Sequence, residues 1–273
     1  MVLVLKFIPL AFQRKLRILF VPGLFALLLS SCVTTEMGGF SPDTSDAEAL
    51  DDYIQLATAY YNQDDMANAR RHINNALAID DRNSEIYNVL ALVYQSEGDL
   101  EIADETFRRA ISLDSSNSRA RNNYAAFLFS QERFEAAVEQ LKVVTIDTAY
   151  EGRAMAFENL GRSALQVNQL IEAESAFQRA LQLNPNLYLP ALELAKLNFD
   201  RGDFTSARRL YRQFLTNKDF YGLPHSPSSL WLGIQIERIY ENEEVAEGYA
   251  RVLSTLYNTS PEYREYRNSL NEN

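Results

Sequence analysis

The sequence is short of nearly every residue that builds a chemical site. Its 273 residues hold one cysteine and two histidines. A single cysteine excludes an intrachain disulfide framework and a cysteine-based metal site. His72 and His225 lie far apart, and neither has ligand spacing around it. His72 sits on a predicted second helix and is expected to face solvent. No stretch reads His-Glu-x-x-His, a phosphate-binding glycine loop or Gly-x-Ser-x-Gly. The pairs Asp64-Asp65 and Asp80-Asp81 lack the spaced ligands of a calcium loop and read as turns and caps. Without a nucleophile–base or metal constellation the chain reads as a non-enzyme, with no cofactor and no small-molecule substrate. Glycine and proline are scarce at 10 and 8 residues, which favours helix.

A basic surface is also missing. The net charge is −11. The first 31 residues carry Lys6, Arg14, Lys15 and Arg17 and no acid, so the rest of the chain stands at −15. Such an acidic body argues against nucleic acid, whose phosphates need cations, and against adsorption to anionic lipid headgroups.

A long apolar run is absent too. Residues 18–29, Ile-Leu-Phe-Val-Pro-Gly-Leu-Phe-Ala-Leu-Leu-Leu, are uncharged but well short of the ~20 residues a membrane span requires. Behind a basic stretch they fit the apolar core of a secretory signal, read as residues 1–31. The next residues, Leu29-Ser30-Ser31-Cys32, resemble the bacterial lipobox. That resemblance implies cleavage before Cys32 and acylation of its sulfur and new amine. Val33 stands where an Asp tends to hold enteric-type lipoproteins in the inner membrane, which implies the outer membrane. Residues 33–46 show no helical periodicity, and the stretch 32–48 reads as the lipidated cysteine and a flexible tether.

What the sequence does have is a repeat. Ala69, Ala103 and Ala137 recur every 34 residues, followed by Ala173 and Ala207. Seven positions beyond each lie Ala76, Ala110, Val144, Ala180 and Phe214. Three before those lie Ile73, Phe107, Leu141, Phe177 and Tyr211. Thirteen before each first alanine come Leu56, Leu90, Tyr124, Leu160 and Leu194, each followed by Ala or Gly. This resembles the tetratricopeptide repeat, a pair of antiparallel helices in which small residues leave holes for large neighbours. Repeats are assigned at 50–83, 84–117, 118–151, 154–187 and 188–221, with Gly152 and Arg153 as extra residues after the third. A degenerate pair follows at 228–257, and a short helix from Ser260-Pro261 caps the stack. The expected fold is all-α: a right-handed superhelix at 49–273 of about six helix pairs plus a C-terminal capping helix.

In this repeat class the first helix of each pair lines the inner face. Counting along the repeats places Tyr61, Asn88, Leu92, Gln95, Arg119, Asn122, Phe129, Met155, Arg162, Leu192, Lys196 and Phe199 in a partner-binding groove. Amides there can pair a peptide backbone, and apolar pockets can take its side chains.

The stretches Arg121-Asn122-Asn123-Tyr124-Ala125-Ala126-Phe127-Leu128 and Ala156-Phe157-Glu158-Asn159-Leu160-Gly161 resemble the PilF/PilW family of type IV pilus biogenesis lipoproteins. So do residues 190–195 and the run Ser228-Ser229-Leu230-Trp231-Leu232-Gly233-Ile234-Gln235-Ile236-Glu237-Arg238. The resemblance implies a pilotin, which binds the secretin subunit of the pilus exit ring and promotes its assembly in the outer membrane. The competing expectation is a periplasmic repeat lipoprotein that scaffolds cell-wall enzymes or outer-membrane protein assembly.

Overall fold

The computed structural model describes residues 45–271, and Cys32, the signal sequence and most of the tether lie outside them. Thirteen helices occupy the described residues, with no strand among them. The first four pairs are α1 (Asp46–Asn62) with α2 (Met66–Ile79), α3 (Ser84–Glu97) with α4 (Leu100–Leu113), α5 (Ser118–Ser130) with α6 (Phe134–Ile146), and α7 (Arg153–Gln166) with α8 (Leu170–Leu183). Then come α9 (Tyr188–Asp200) with α10 (Phe204–Phe220), α11 (Pro227–Ile239) with α12 (Glu243–Leu256), and the closing α13 (Pro261–Ser269). The hairpins stack as a right-handed superhelix.

Helix α1 starts earlier than the tether reading allowed. Residues 46–48 are its first turn, not tether. Ser45 and Glu48 form a reciprocal capping box, the side chain of each accepting from the other's backbone N–H. That satisfies two otherwise orphaned donors and fixes the start.

The recurring small residues are the seams of the stack. Ala69, Ala103, Ala137, Ala173 and Ala207 are fully buried. Large side chains fill the holes opposite: Phe107 packs against Tyr124 and Phe127 at 5.5 and 5.6 Å between ring centroids. Gly161 faces Phe177 so closely that a Cβ built there would lie 2.5 Å from the ring. Each hairpin turn passes through one left-handed residue. Gly98 and Gly202 supply it in two repeats, with φ of 86° and 83°. Asp64, Glu132, Asn168 and Glu241 hold the equivalent place in the other four, with φ of 62°, 57°, 57° and 55°. Asp65 then caps α2, while Asn83 and Asn117 cap α3 and α5 through their side-chain oxygens.

The residue after a seam alanine recurrently forms an ion pair with the next repeat. Arg70 pairs with Glu97, Asp104 with Arg133, Glu174 with Arg201, and Arg208 with Glu237. The junction between the third and fourth repeats differs. There the corresponding residues are Val138, which is buried, and Val167, which packs on the same core cluster. The extra residues Gly152 and Arg153 fall at this junction, and an ion pair between Lys142 and Glu172 at 3.2 Å lies further along it.

His72 does not face solvent. Only 9% of it is exposed. Tyr60 of α1 stacks on it at 5.3 Å, and Tyr53 covers it from 5.9 Å. Its Nδ1 finds no hydrogen-bond partner. Burial, then the Arg71 charge, push its pKa down. Burial and Lys218 push that of His225 down as well, against Asp219. The unfolded chain takes up these protons near the ordinary pKa of ~6.5, while the folded chain resists. Stability contributed by the neutral rings is therefore present above that pH and lost as pH falls below it. His72→Phe keeps the stacking and deletes an unpaired buried group, so its Tm at pH 7.5 should equal or exceed the wild type's. Between pH 7.5 and 5.5 the variant should lose less Tm than the wild type. Thermal melts at both values check this, and parallel losses would refute it.

Candidate functional site

The first helices form the inner face. Successive ones come close along their backbones, α1 with α3, α3 with α5, α5 with α7, α7 with α9 and α9 with α11, whereas the backbones of successive second helices from α2 to α10 stay further apart. The groove residues read from the sequence lie on these first helices, but they do not form one open surface.

Two of them are buried by the stack itself. Asn88 is 1% exposed, donating to Glu85 at 3.1 Å and accepting from Asn123 at 3.0 Å. Its amide joins α3 to α5 and is closed to a partner. Leu192 is 6% exposed and belongs to the core cluster of the C-terminal hairpins. Both must be removed from the groove. Tyr61 and Leu92 are half-buried against the core, so each offers a partner only an edge. Glu85 also accepts from Asn117 and from Arg119, each at 3.1 Å. Arg119 is therefore neutralised within the chain. Lys196 is too, by Glu193 at 2.9 Å.

The residues that stay open gather between α5 and α7. Phe129 meets Phe134 edge-on at 5.1 Å. The Arg162 guanidinium lies over the Phe129 ring at 4.7 Å. Beside them a cavity of about 240 Å³ is lined by Ala125, Ala126, Phe129, Ser130, Asn159, Arg162 and Ser163. Asn159 donates to Asn122 at 3.2 Å across its rim. Met155, one repeat further, is 44% exposed. Glu158 on α7 is buried, and burial pushes its carboxyl pKa up against the pull of Arg162. The same aromatic pairing recurs two repeats on, where Phe199 meets Phe204 at 5.2 Å. Gln95 is half-buried at the other end of the row.

A second concavity was not foreseen. A cavity of about 1030 Å³ opens on the outer side between α6 and α8, lined by Ile146, Phe157, Leu160, Leu170 and Ile171 among others. Ile146 is 76% exposed and Ile171 88%. Its only sequence signals are those exposed isoleucines and the two extra residues that break the 34-residue spacing.

Residues 84–117 and residues 154–187 each match the tetratricopeptide repeat family. The type IV pilus assembly protein PilF of Pseudomonas aeruginosa is 35% identical over 245 residues, covering 89% of this chain and 95% of that protein. The chain belongs to the PilF/PilW family. The solved Pseudomonas aeruginosa PilF structure superposes with a TM-score of 0.77 at 35% identity, covering 83% of this chain and all of that one. PilW, described as a widely conserved type IV pilus biogenesis factor, shares the fold with a TM-score of 0.64 at 24% identity, over 80% of this chain and 98% of its own. This PilF/PilW protein is thus a non-catalytic repeat scaffold of type IV pilus biogenesis.

Proposed function

We propose that this protein is a pilotin: a lipoprotein anchored through Cys32 in the outer membrane that binds the type IV pilus secretin subunit and promotes its assembly there. The observation that carries the reading is the open part of the inner face between α5 and α7, an aromatic and guanidinium surface that no described residue fills. Membership of the PilF/PilW family supports the pilus context. The resemblance of residues 29–32 to a lipobox supports the anchor. Lipid affinity and partner affinity on one chain would concentrate secretin subunits at the membrane.

The double variant Asn122→Ala with Phe129→Ala tests this. It should fold and reach the outer membrane, yet capture secretin about tenfold or more weakly, as truncation of an interface anchor typically does. Glu105→Ala with Glu139→Ala, at exposed places on α4 and α6, is the control. Pulldown from detergent-solubilised envelope reads both. Capture of cell-wall enzymes or barrel-assembly subunits in place of secretin would favour a different scaffold. Loss only in the control would move the site to the outer face.

A further inference from the structure

We propose that the pocket of Phe129 and Arg162 is a receptor for a carboxylate, an Asp or Glu side chain flanked by an apolar residue on the partner's peptide. The inference rests on the inner face being the partner-binding face, and it adds the chemistry of what binds there.

The chain carries −11 overall, and the inner-face cations on either side of this pocket are matched to its own acids. On the inner face Arg119 has Glu85 and Lys196 has Glu193. Arg162 has no ion pair among the described residues. The acid nearest in sequence, Glu158, lies one turn earlier on the same helix. It is buried and makes no hydrogen bond to Arg162.

Geometry keeps this cation available. The guanidinium carbon lies over the Phe129 ring, and among the described residues no hydrogen bond or ion pair engages its N–H groups, the groups that hold a carboxylate two bonds at a time. The aromatic ring also limits the rotamers of Arg162, so less freedom is lost on binding. Ala125 and Ala126 line the pocket with small side chains; the Ser130 hydroxyl spends its proton on the Phe127 carbonyl, while the Asn159 amide gives one N–H to Asn122 and keeps a second as a further donor. Phe134 and the exposed Met155 extend an apolar surface beside it. The combination occurs at one junction only. The equivalent positions at the others are Tyr61 with Leu92, Gln95 with Ala126, Leu165 with Lys196, and Phe199 with Ile234. The surrounding acidic surface repels anions in general, so selectivity for a carboxylate at this point requires a ligand that also brings apolar contact.

The test uses the full-length protein in detergent and two fluorescein-labelled peptides, acetyl-Leu-Leu-Asp-Leu-amide and the same peptide with Asn for Asp. Fluorescence anisotropy should show the Asp peptide binding at least tenfold more tightly. Arg162→Gln should equalise the two, and Arg162→Lys should keep part of the preference, since a point charge remains without the fork. Both variants change a partly exposed side chain, and circular dichroism melts confirm that they fold. Equal affinities, no saturable binding of the Asp peptide, or a preference that survives R162Q overturns the proposal. The peptide measurement needs no secretin, so it stands if the secretin reading fails. Wild-type secretin capture in turn stands if the peptides show no preference.

Discussion

Gly161→Ala is expected to destabilise the protein, although alanine is the better helix former. Propensity alone favours the substitution by ~1 kcal/mol in a helix interior. Packing opposes it. The new methyl would meet three atoms of the Phe177 ring at 2.5, 2.6 and 2.8 Å. Gly161 is buried on α7 and the ring on α8 is fully buried, so neither side has open space to move into. Overpacking of this kind costs ~1–3 kcal/mol, enough to reverse the sign set by propensity. Tm should fall by several degrees, at about 2–4 °C per kcal/mol for a domain of this size. Gly161→Leu should cost more. Adding Phe177→Leu to Gly161→Ala makes room, so the double variant should be more stable than the sum of the single effects implies. Additive effects, or a Tm raised by Gly161→Ala alone, would mean that the two helices do not approach at this point.

Cys32→Ala is expected to have the largest effect in the cell. Acyl chains on the cysteine would contribute ~0.8 kcal/mol per buried CH₂, and their loss leaves nothing comparable to hold the acidic repeats to a bilayer. The variant should leave the membrane fraction or accumulate unprocessed, with the melting of its repeats unchanged. Secretin rings should then fall to the level of a strain lacking the protein. Mass spectrometry of the wild type should find an acylated Cys32 at the N-terminus. An unmodified terminus elsewhere would end the lipoprotein reading.

The hairpins were legible because their determinants are local and periodic. A residue such as Ala103 or Phe107 does the same work in each repeat, so its burial follows from its place in the pattern. The turns were half legible. Gly98 and Gly202 announce a left-handed residue, but Glu132 and Asn168 adopt the same conformation without glycine, held there by the helices on either side. The groove was less legible, because exposure on the inner face depends on how closely one first helix approaches the next. Asn88 looked free until Asn123 of the next repeat reached across to it. His72 looked polar and exposed until Tyr60 of the preceding helix closed over it. The outer cavity was hidden for a different reason. Ile146 and Ile171 fall outside the recurring positions of the repeat, so the pattern says nothing of their exposure beside the gap between α6 and α8.

The valine seam between the third and fourth repeats gives the stack a joint that answers differently to ionic strength. Dissolved salt screens the partly exposed pairs Arg70–Glu97, Asp104–Arg133 and Glu174–Arg201, and each of those seams weakens slightly. Val138 and Val167 bring no charge to the core cluster they pack in, and excluded salts such as sulfate strengthen apolar burial. The lengthened junction keeps one ion pair, Lys142–Glu172, and adds its valines to the apolar core, so concentrated sulfate should weaken it less than its neighbours. The difference in protection between this junction and the others should therefore widen with sulfate, and amide hydrogen exchange across α6 and α7 is where that would show.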